Sequence, residues 1–269
     1  MNCLVCAIQV WVLLAIISLG WCSFIYADVQ YSLNIGVDAA SRDFLNRNQQ
    51  RVAIAYASPL SEGNTVVVSL VFAPINDSTN IAFDYGWALY TSLDYPVAVF
   101  DVINMAVTQT NVGSQRAYRF DGKTIISDGT GVYGYITLYY NAPPESRPVT
   151  AGLAQYIYDT SQQPNKLAPI NYHTLNRFET LSIPMSGSTV WVFVASNIAV
   201  GSVLPVNIMK PVSDSTSATS NNASTSAAAQ TTMLQISRYL PVDLSVPSQI
   251  AIHFELDINA FAYDSTMTQ

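Results

Sequence analysis

Charged side chains are scarce in this sequence. Only 11% of its 269 residues are Asp, Glu, Lys or Arg, against about 25% in an average globular protein. Acidic residues outnumber basic ones, and the formal net charge is −7. Nucleic-acid binding requires Lys and Arg side chains that neutralise phosphates. Attraction to anionic lipid likewise depends on clusters of Lys and Arg. The composition therefore argues against nucleic acid as a partner and against simple electrostatic adhesion to membranes.

Cysteine is nearly absent. The cysteines all lie within residues 1–27, at positions Cys3, Cys6 and Cys22. That stretch has no charged side chain and a long apolar run, which is typical of a signal peptide, so we expect cleavage near Ala27. The alternative is an uncleaved membrane anchor, because the apolar run approaches the length of a membrane span. Cleavage would remove every thiol, and with it disulfides, thiolate catalysis and cysteine metal sites.

Both outcomes place the chain from residue 28 onward outside the cytosol, so we expect a secreted, extracellular protein. Apolar residues make up 50% of the sequence and 16 residues are tyrosine, a composition that favours β-strands. Two Asn-x-Ser sequons, at Asn76 and Asn222, predict N-glycosylation.

Helical periodicity is almost missing, whereas short β-type segments bounded by turn signals recur along the chain. The predicted strands are 29–36, 51–56, 65–72, 81–90, 97–103, 116–120, 123–126, 131–140, 149–158, 189–195, 203–208, 233–237 and 250–258. Residues 39–50 should form a short helix or a loop, which Ser41 could cap. Asp-Gly pairs at 121–122 and 128–129 predict the tight turns of a meander. These features predict an all-β antiparallel β-sandwich, with a barrel-like arrangement as the alternative.

Residues 213–232 differ in composition from the rest. They are mainly Ser, Thr, Ala and Asn and cannot bury apolar surface, so we expect a low-complexity loop or linker. It separates a β-sandwich domain over 28–212 from the C-terminal residues 233–269. The C-terminal part is too short for its own domain but has strong strand signals, so its strands should return to the β-domain.

The segment 131–140 carries the densest group of tyrosines. Side chains alternate between the two faces of a strand, and an aromatic face with hydroxyl tips is either an inter-sheet core or a ligand platform. We expect Tyr135, central in the segment, to be core, and Tyr139 and Tyr140 to be exposed beside the following loop. The candidate ligand-binding residues are Tyr133, Tyr135, Tyr139 and Tyr140.

The last predicted strand offers the best candidates for acid/base or metal chemistry. His253, Glu255 and Asp257 share one strand face at intervals of about 6.6–6.8 Å, so that they could face one volume. The same pattern describes the solvated face of a half-exposed strand, which we favour. A second acidic group lies among aromatic residues, as in glycosidases, and consists of Asp84, Asp94 and Asp101.

Together these observations favour a secreted, glycosylated, non-enzymatic binding module whose ligand is a carbohydrate or glycoconjugate. The first alternative is a membrane-active, cytolysin-like protein, and the second is a hydrolase that depends on Asp and Glu. Membrane contact is expected only through the leader or under the first alternative. We expect no cofactor and no metal, because the sequence has no glycine-rich phosphate loop and no zinc signature.

Overall fold

The computed structural model describes residues 31–57, 61–161, 166–185, 187–212, 234–245 and 249–264. The predictions for residues 1–27, for 213–232 and for the sequon at Asn222 lie outside this part of the chain. No helix within it is long and apolar enough to cross a membrane.

The described chain is mainly β-structure, with 56% strand and 6% helix. Its helix is α1 (Ala39–Arg47), and a single 3-10 turn spans Val206–Ile208. The strands are β1 (Tyr31–Gly36), β2 (Gln50–Tyr56), β3 (Thr65–Phe72), β4 (Ser78–Ser92), β5 (Val107–Val112), β6 (Arg116–Phe120), β7 (Ile125–Thr130), β8 (Tyr135–Tyr140), β9 (Val149–Asp159), β10 (Lys166–Pro169), β11 (His173–Leu175), β12 (Thr180–Pro184), β13 (Thr189–Ser196), β14 (Val203–Pro205), β15 (Leu240–Asp243), β16 (Ile250–Glu255) and β17 (Ala260–Tyr263).

These strands form three sheets that do not close into a barrel, so the all-β, sandwich-like fold is confirmed and its barrel-like alternative is not. The eight-stranded sheet has the order β10-β9-β4-β1-β16-β17, with β11 also paired to β9 and β5 to β4. The five-stranded sheet runs β14-β3-β2-β13-β15, and the four-stranded sheet runs β12-β8-β6-β7. The last strands join two of these sheets, since β15 pairs with β13 and β16 lies parallel to β1.

One hydrophobic core collects buried side chains from all three sheets. The five-stranded sheet contributes one of its faces, which includes Val190, Val192 and Val194 of β13. Its other face is covered as well, because Trp191 belongs to a second cluster and stacks on Tyr239 at 4.2 Å between ring centroids. A sheet buried on both faces needs apolar residues at consecutive positions. This explains the continuous apolar sequence of β3, in which residues 65–69 are all buried.

Helix α1 begins with a side-chain cap. Asp38 is the N-cap residue, and its Oδ1 accepts a hydrogen bond of 2.8 Å from the backbone N–H of Ser41. The prediction that Ser41 caps the helix is therefore wrong, because Ser41 lies in the first turn and its backbone N–H donates to the capping side chain of Asp38. Leu45 anchors the helix in the core, and Arg42 forms an ion pair with Asp77 in the connection between β3 and β4.

The predicted strand 97–103 does not form. It is a loop with one isolated bridge, between Val102 and Ser202. The carboxylate of Asp101 accepts a hydrogen bond of 2.8 Å from the backbone N–H of Ala98, and the backbone N–H of Asp101 donates to the carbonyl of Ala98. An aspartate side chain that bonds nearby backbone N–H groups favours a turn over an extended strand.

The predicted meander is also incorrect. The first Asp-Gly pair, 121–122, does connect β6 to the antiparallel β7, but the second, 128–129, lies within β7. Strand β8 pairs with β6 in a parallel arrangement rather than with β7. Residues 131–134 supply the connection, so the strand predicted over 131–140 begins only at Tyr135.

Two boundaries near the C-terminus differ from the prediction. Within the described part of 233–237 there is an isolated bridge between Ile236 and Ala195, and the regular pairing starts later, in β15. The strand predicted over 250–258 ends at Glu255, where a turn leads into β17. Strand β17 was not predicted, because it is short and carries little alternation.

The residues that flank 213–232 are hydrogen-bonded to one another. The backbone N–H of Val212 donates to the carbonyl of Tyr239, and the N–H of Ser237 donates to the carbonyl of Val194 in β13. We therefore expect that a site-specific protease sequence placed within 213–232 can be cut without separating the two fragments. They should co-elute on gel filtration and part only in denaturant, because β15 and β16 remain paired with strands of the larger fragment. Native separation of the fragments would show that the C-terminal residues fold independently.

Candidate functional site

The outer surface of the four-stranded sheet displays tyrosines. Strand β8 alternates regularly, with Ile136, Leu138 and Tyr140 buried in the core. The opposite face carries Tyr135, which is 39% exposed, followed by the half-buried Thr137 and Tyr139. We call Tyr135, Thr137 and Tyr139, together with Tyr133 of the loop that precedes β8, the tyrosine face; the hydroxyl of Thr137 itself is buried beside Gly131.

The structure reverses the predicted burial of two tyrosines. Tyr140 is 2% exposed, its ring stacks on Phe120 at 5.3 Å, and its hydroxyl donates a hydrogen bond of 3.0 Å to the carbonyl oxygen of Arg147. Tyr140 is therefore not available to a ligand. Tyr135, expected in the core, is exposed because the strand starts there, so that this residue lies at the sheet end and not in its centre. Tyr139, expected to be exposed, is half-buried.

Neighbouring strands surround the tyrosines with small polar groups. In register with β8, strand β12 places Thr180 beside Tyr139 and Ser182 beside Thr137. On the other side, β6 places Arg119 beside Tyr139. The Nε atom of Arg119 lies 3.8 Å from a carboxylate oxygen of Asp128, so the positive charge on this face has a partner. The tyrosine face therefore combines aromatic rings with the hydroxyl groups of the exposed Thr180 and Ser182 and with one ion pair.

Tyr133 precedes β8 on an anchored loop. Its side chain is 81% exposed. The loop is attached on both sides, since the N–H of Gly134 donates to the Ser114 hydroxyl at 3.0 Å and the N–H of Met185 donates to the Gly134 carbonyl at 2.9 Å. At Gly131 a Cβ would lie 2.8 Å from the carbonyl oxygen of Arg116, so only glycine lets this loop approach the sheet so closely. The backbone that carries Tyr133 is thus held in place on both sides.

The histidine candidate lies elsewhere, on β16. His253 contacts two carboxylates: its Nε2 is 3.1 Å from Glu255 and its Nδ1 is 2.6 Å from Asp264. Asp257 is not part of this group, because β16 ends at Glu255 and places Asp257 in an exposed turn. Asp264 was missed, since it follows β17, whose pairing brings Ala262 opposite His253. Within the described residues, no group of three His, Cys, Asp or Glu side chains could hold a metal ion.

The three acidic residues predicted among aromatics are only partly brought together. Asp84 lies at an irregularity of β4, where its carboxylate accepts from the N–H of Gly86. Asp94 and Asp101 line the same open depression of about 440 Å³, and its other lining residues are Leu93, Tyr95, Pro96, Val97 and Val102. The hydrogen bond from the Asn104 backbone N–H holds the pKa of the Asp94 carboxyl below its usual value. Asp94 is therefore ionised at neutral pH and is not a proton donor there.

These features define an all-β, sandwich-like protein with exposed tyrosines at one end of its four-stranded sheet and on the loop that precedes β8. No protein-family model matches the chain, and no curated protein or solved structure is significantly similar to it.

Proposed function

We propose that the protein is a secreted, glycosylated binding module that holds a carbohydrate or glycoconjugate on the tyrosine face. The observation that carries this proposal is the exposure of Tyr133 and Tyr135 on an anchored loop and strand end. Tyrosine gives a large amphipathic contact area at low conformational entropy cost. Sugars present apolar C–H faces and hydroxyl edges, which match aromatic rings beside hydroxyl groups.

The dimensions of the tyrosine face favour an elongated ligand. Tyr135 and Tyr139 are four residues apart on one strand, which corresponds to about 13 Å. The hydroxyl-bearing Thr180 and Ser182 of β12 run alongside, and both residues are exposed. A short oligosaccharide could therefore stack on the rings and form hydrogen bonds along one side.

The sequon at Asn76 supports the extracellular part of the proposal. Asn76 is exposed in the connection between β3 and β4, as an N-glycosylated asparagine must be. This connection is anchored to α1 by the ion pair of Asp77 with Arg42.

We expect Tyr133→Ala and Tyr135→Ala each to weaken glycan binding by at least about tenfold, because exposed aromatic residues commonly dominate recognition. A glycan array identifies the ligand, and isothermal titration calorimetry then measures its dissociation constant. The control is Tyr263→Ala, which removes a tyrosine of similar exposure, at 50%, from β17. Melting curves should confirm that all three variants are folded. Glycan binding that survives both tyrosine-face substitutions would contradict the proposal.

A further inference from the structure

A second surface, distinct from the tyrosine face, concentrates exposed apolar side chains. We call residues 93–102, between β4 and β5, the apolar loop. Five of its large apolar side chains are more than one-third exposed: Leu93 at 73%, Phe100 at 54%, Tyr95 at 44%, Val99 at 42% and Val102 at 39%. Contiguous exposed apolar groups of this kind mark contact sites for proteins, ligands or membranes.

Part of the backbone at the apolar loop is hydrogen-bonded, both to the segment that leads into β14 and within the loop itself. The N–H of Phe100 donates to the carbonyl of Val203 at 2.8 Å, and the N–H of Ile103 donates to the carbonyl of Gly201 at 3.0 Å. The N–H of Asp101 donates to the carbonyl of Ala98 at 3.1 Å. Backbone groups that already have partners can enter an environment of low polarity without leaving unsatisfied donors. The N–H groups of Phe100 and Asp101 would therefore not be left unsatisfied if this loop were buried against an apolar partner.

The depression beside these side chains is acidic. Its lining includes Asp94 and Asp101 but no Lys, Arg or His. Calcium is a poor fit, because it takes six to eight oxygen ligands and both carboxylates are already engaged. One oxygen of Asp94 accepts three hydrogen bonds, from Ser92 and from two nitrogen atoms of Asn104. One oxygen of Asp101 accepts from the N–H of Ala98.

An organic cation suits the depression better. Quaternary ammonium groups are bound by aromatic rings together with negative charge, and the lining offers Tyr95 and two carboxylates among apolar side chains. Such a cation does not require several free oxygen ligands. The choline group of zwitterionic phospholipids has this chemistry, and in a bilayer it lies directly above an apolar region.

We propose that the apolar loop docks on a zwitterionic phospholipid bilayer, with a choline headgroup in the depression and the apolar side chains in the interfacial region. Tyrosine and phenylalanine favour this region of a bilayer. The loop contains no Lys or Arg, so anionic lipid has no electrostatic advantage and is repelled by the two aspartates. This activity is independent of glycan binding on the tyrosine face.

Vesicle sedimentation tests the role of the apolar side chains. The wild type and all variants are produced in the same host and purified in the same way, so that each carries the same N-terminus. We expect binding to phosphatidylcholine vesicles, and we expect Phe100→Ala to weaken it at least fivefold. Phe178→Ala is a matched control, because Phe178 is 55% exposed and, like Phe100, has a positive φ. Absence of vesicle binding, or equal losses in both variants, would overturn the proposal.

Headgroup selectivity tests the depression itself. Asp101→Asn keeps an oxygen acceptor for the N–H of Ala98 but removes the negative charge, and we expect severalfold weaker binding to phosphatidylcholine. Soluble phosphocholine should compete with the vesicles, and phosphatidylglycerol vesicles should bind more weakly than phosphatidylcholine vesicles. Stronger binding to phosphatidylglycerol, or unchanged binding by Asp101→Asn, would overturn the assignment of a choline site.

Discussion

Replacing Tyr140 with alanine should lower the free energy of unfolding by about 3–5 kcal/mol, as truncation of a large buried aromatic side chain usually does. The ring of Tyr140 lies in the core against Phe120, and its hydroxyl bonds the carbonyl oxygen of Arg147. Alanine would leave a cavity where the four-stranded sheet meets the rest of the core. Total stabilities are about 5–15 kcal/mol, so this one substitution should visibly destabilise the protein.

Urea denaturation measures this loss, and two further variants separate its causes. Tyr140→Phe keeps the ring and removes only the hydrogen bond, so its loss should be about 1 kcal/mol. Tyr133→Ala removes an exposed tyrosine from the same segment and should change stability by no more than about 0.5 kcal/mol. If Tyr133→Ala were as damaging as Tyr140→Ala, Tyr133 would be packed in the core and not exposed.

Gly152→Ala should destabilise the protein by about 3 kcal/mol or more, through overpacking. Gly152 lies in β9, where a Cβ would be 2.2 Å from the carbonyl oxygen of Asn171 and 2.9 Å from a ring carbon of Tyr90. These neighbours cannot easily move. The Tyr90 hydroxyl donates to the Asn171 carbonyl at 2.6 Å, and the Asn171 side chain accepts from the N–H of Leu153 at 2.7 Å.

Thermal unfolding is a direct measurement for this second substitution. A loss of 3 kcal/mol corresponds to a melting temperature about 6–12 °C lower in a protein of this size. Gly86→Ala is the matched control in β4, because its nearest non-adjacent atom would be 3.8 Å from the new Cβ. That variant should melt close to the wild type. Equal melting temperatures for Gly152→Ala and the wild type would show that the contact between β9 and Asn171 is looser than the structure has it.

Where the local pattern of a segment agrees with its burial, the sequence was sufficient to predict the strand. The apolar runs of β3 and β13 predicted strands at nearly the observed bounds, because a strand buried on both faces needs consecutive apolar residues. The segment 149–158, predicted as a strand, is β9. The loop 97–103 shows where pattern alone misleads. Its valines and phenylalanine resemble a strand, but Asp101 bonds the backbone of its own turn.

The candidate sites depended more strongly on long-range contacts than the strand positions did. Alternation correctly placed Tyr135 and Tyr139 on one face of β8 and Tyr140 on the other. It could not show which face is inside, because both faces carry residues that a core accepts. The partner of His253 was likewise hidden, since Asp264 reaches it only through the pairing of β16 with β17.

The sequence by itself determined the all-β class, most strand positions and the partition of side chains between strand faces, because these depend on composition and on a period of two residues. The tertiary structure decided which tyrosines are exposed, that β8 lies parallel to β6, and that Asp94 and Asp101 share one depression. Each of these results depends on pairing between residues distant along the chain or on the path of a loop. Side-chain type alone does not specify such pairings, since many registers bury similar amounts of apolar surface until the whole core is packed.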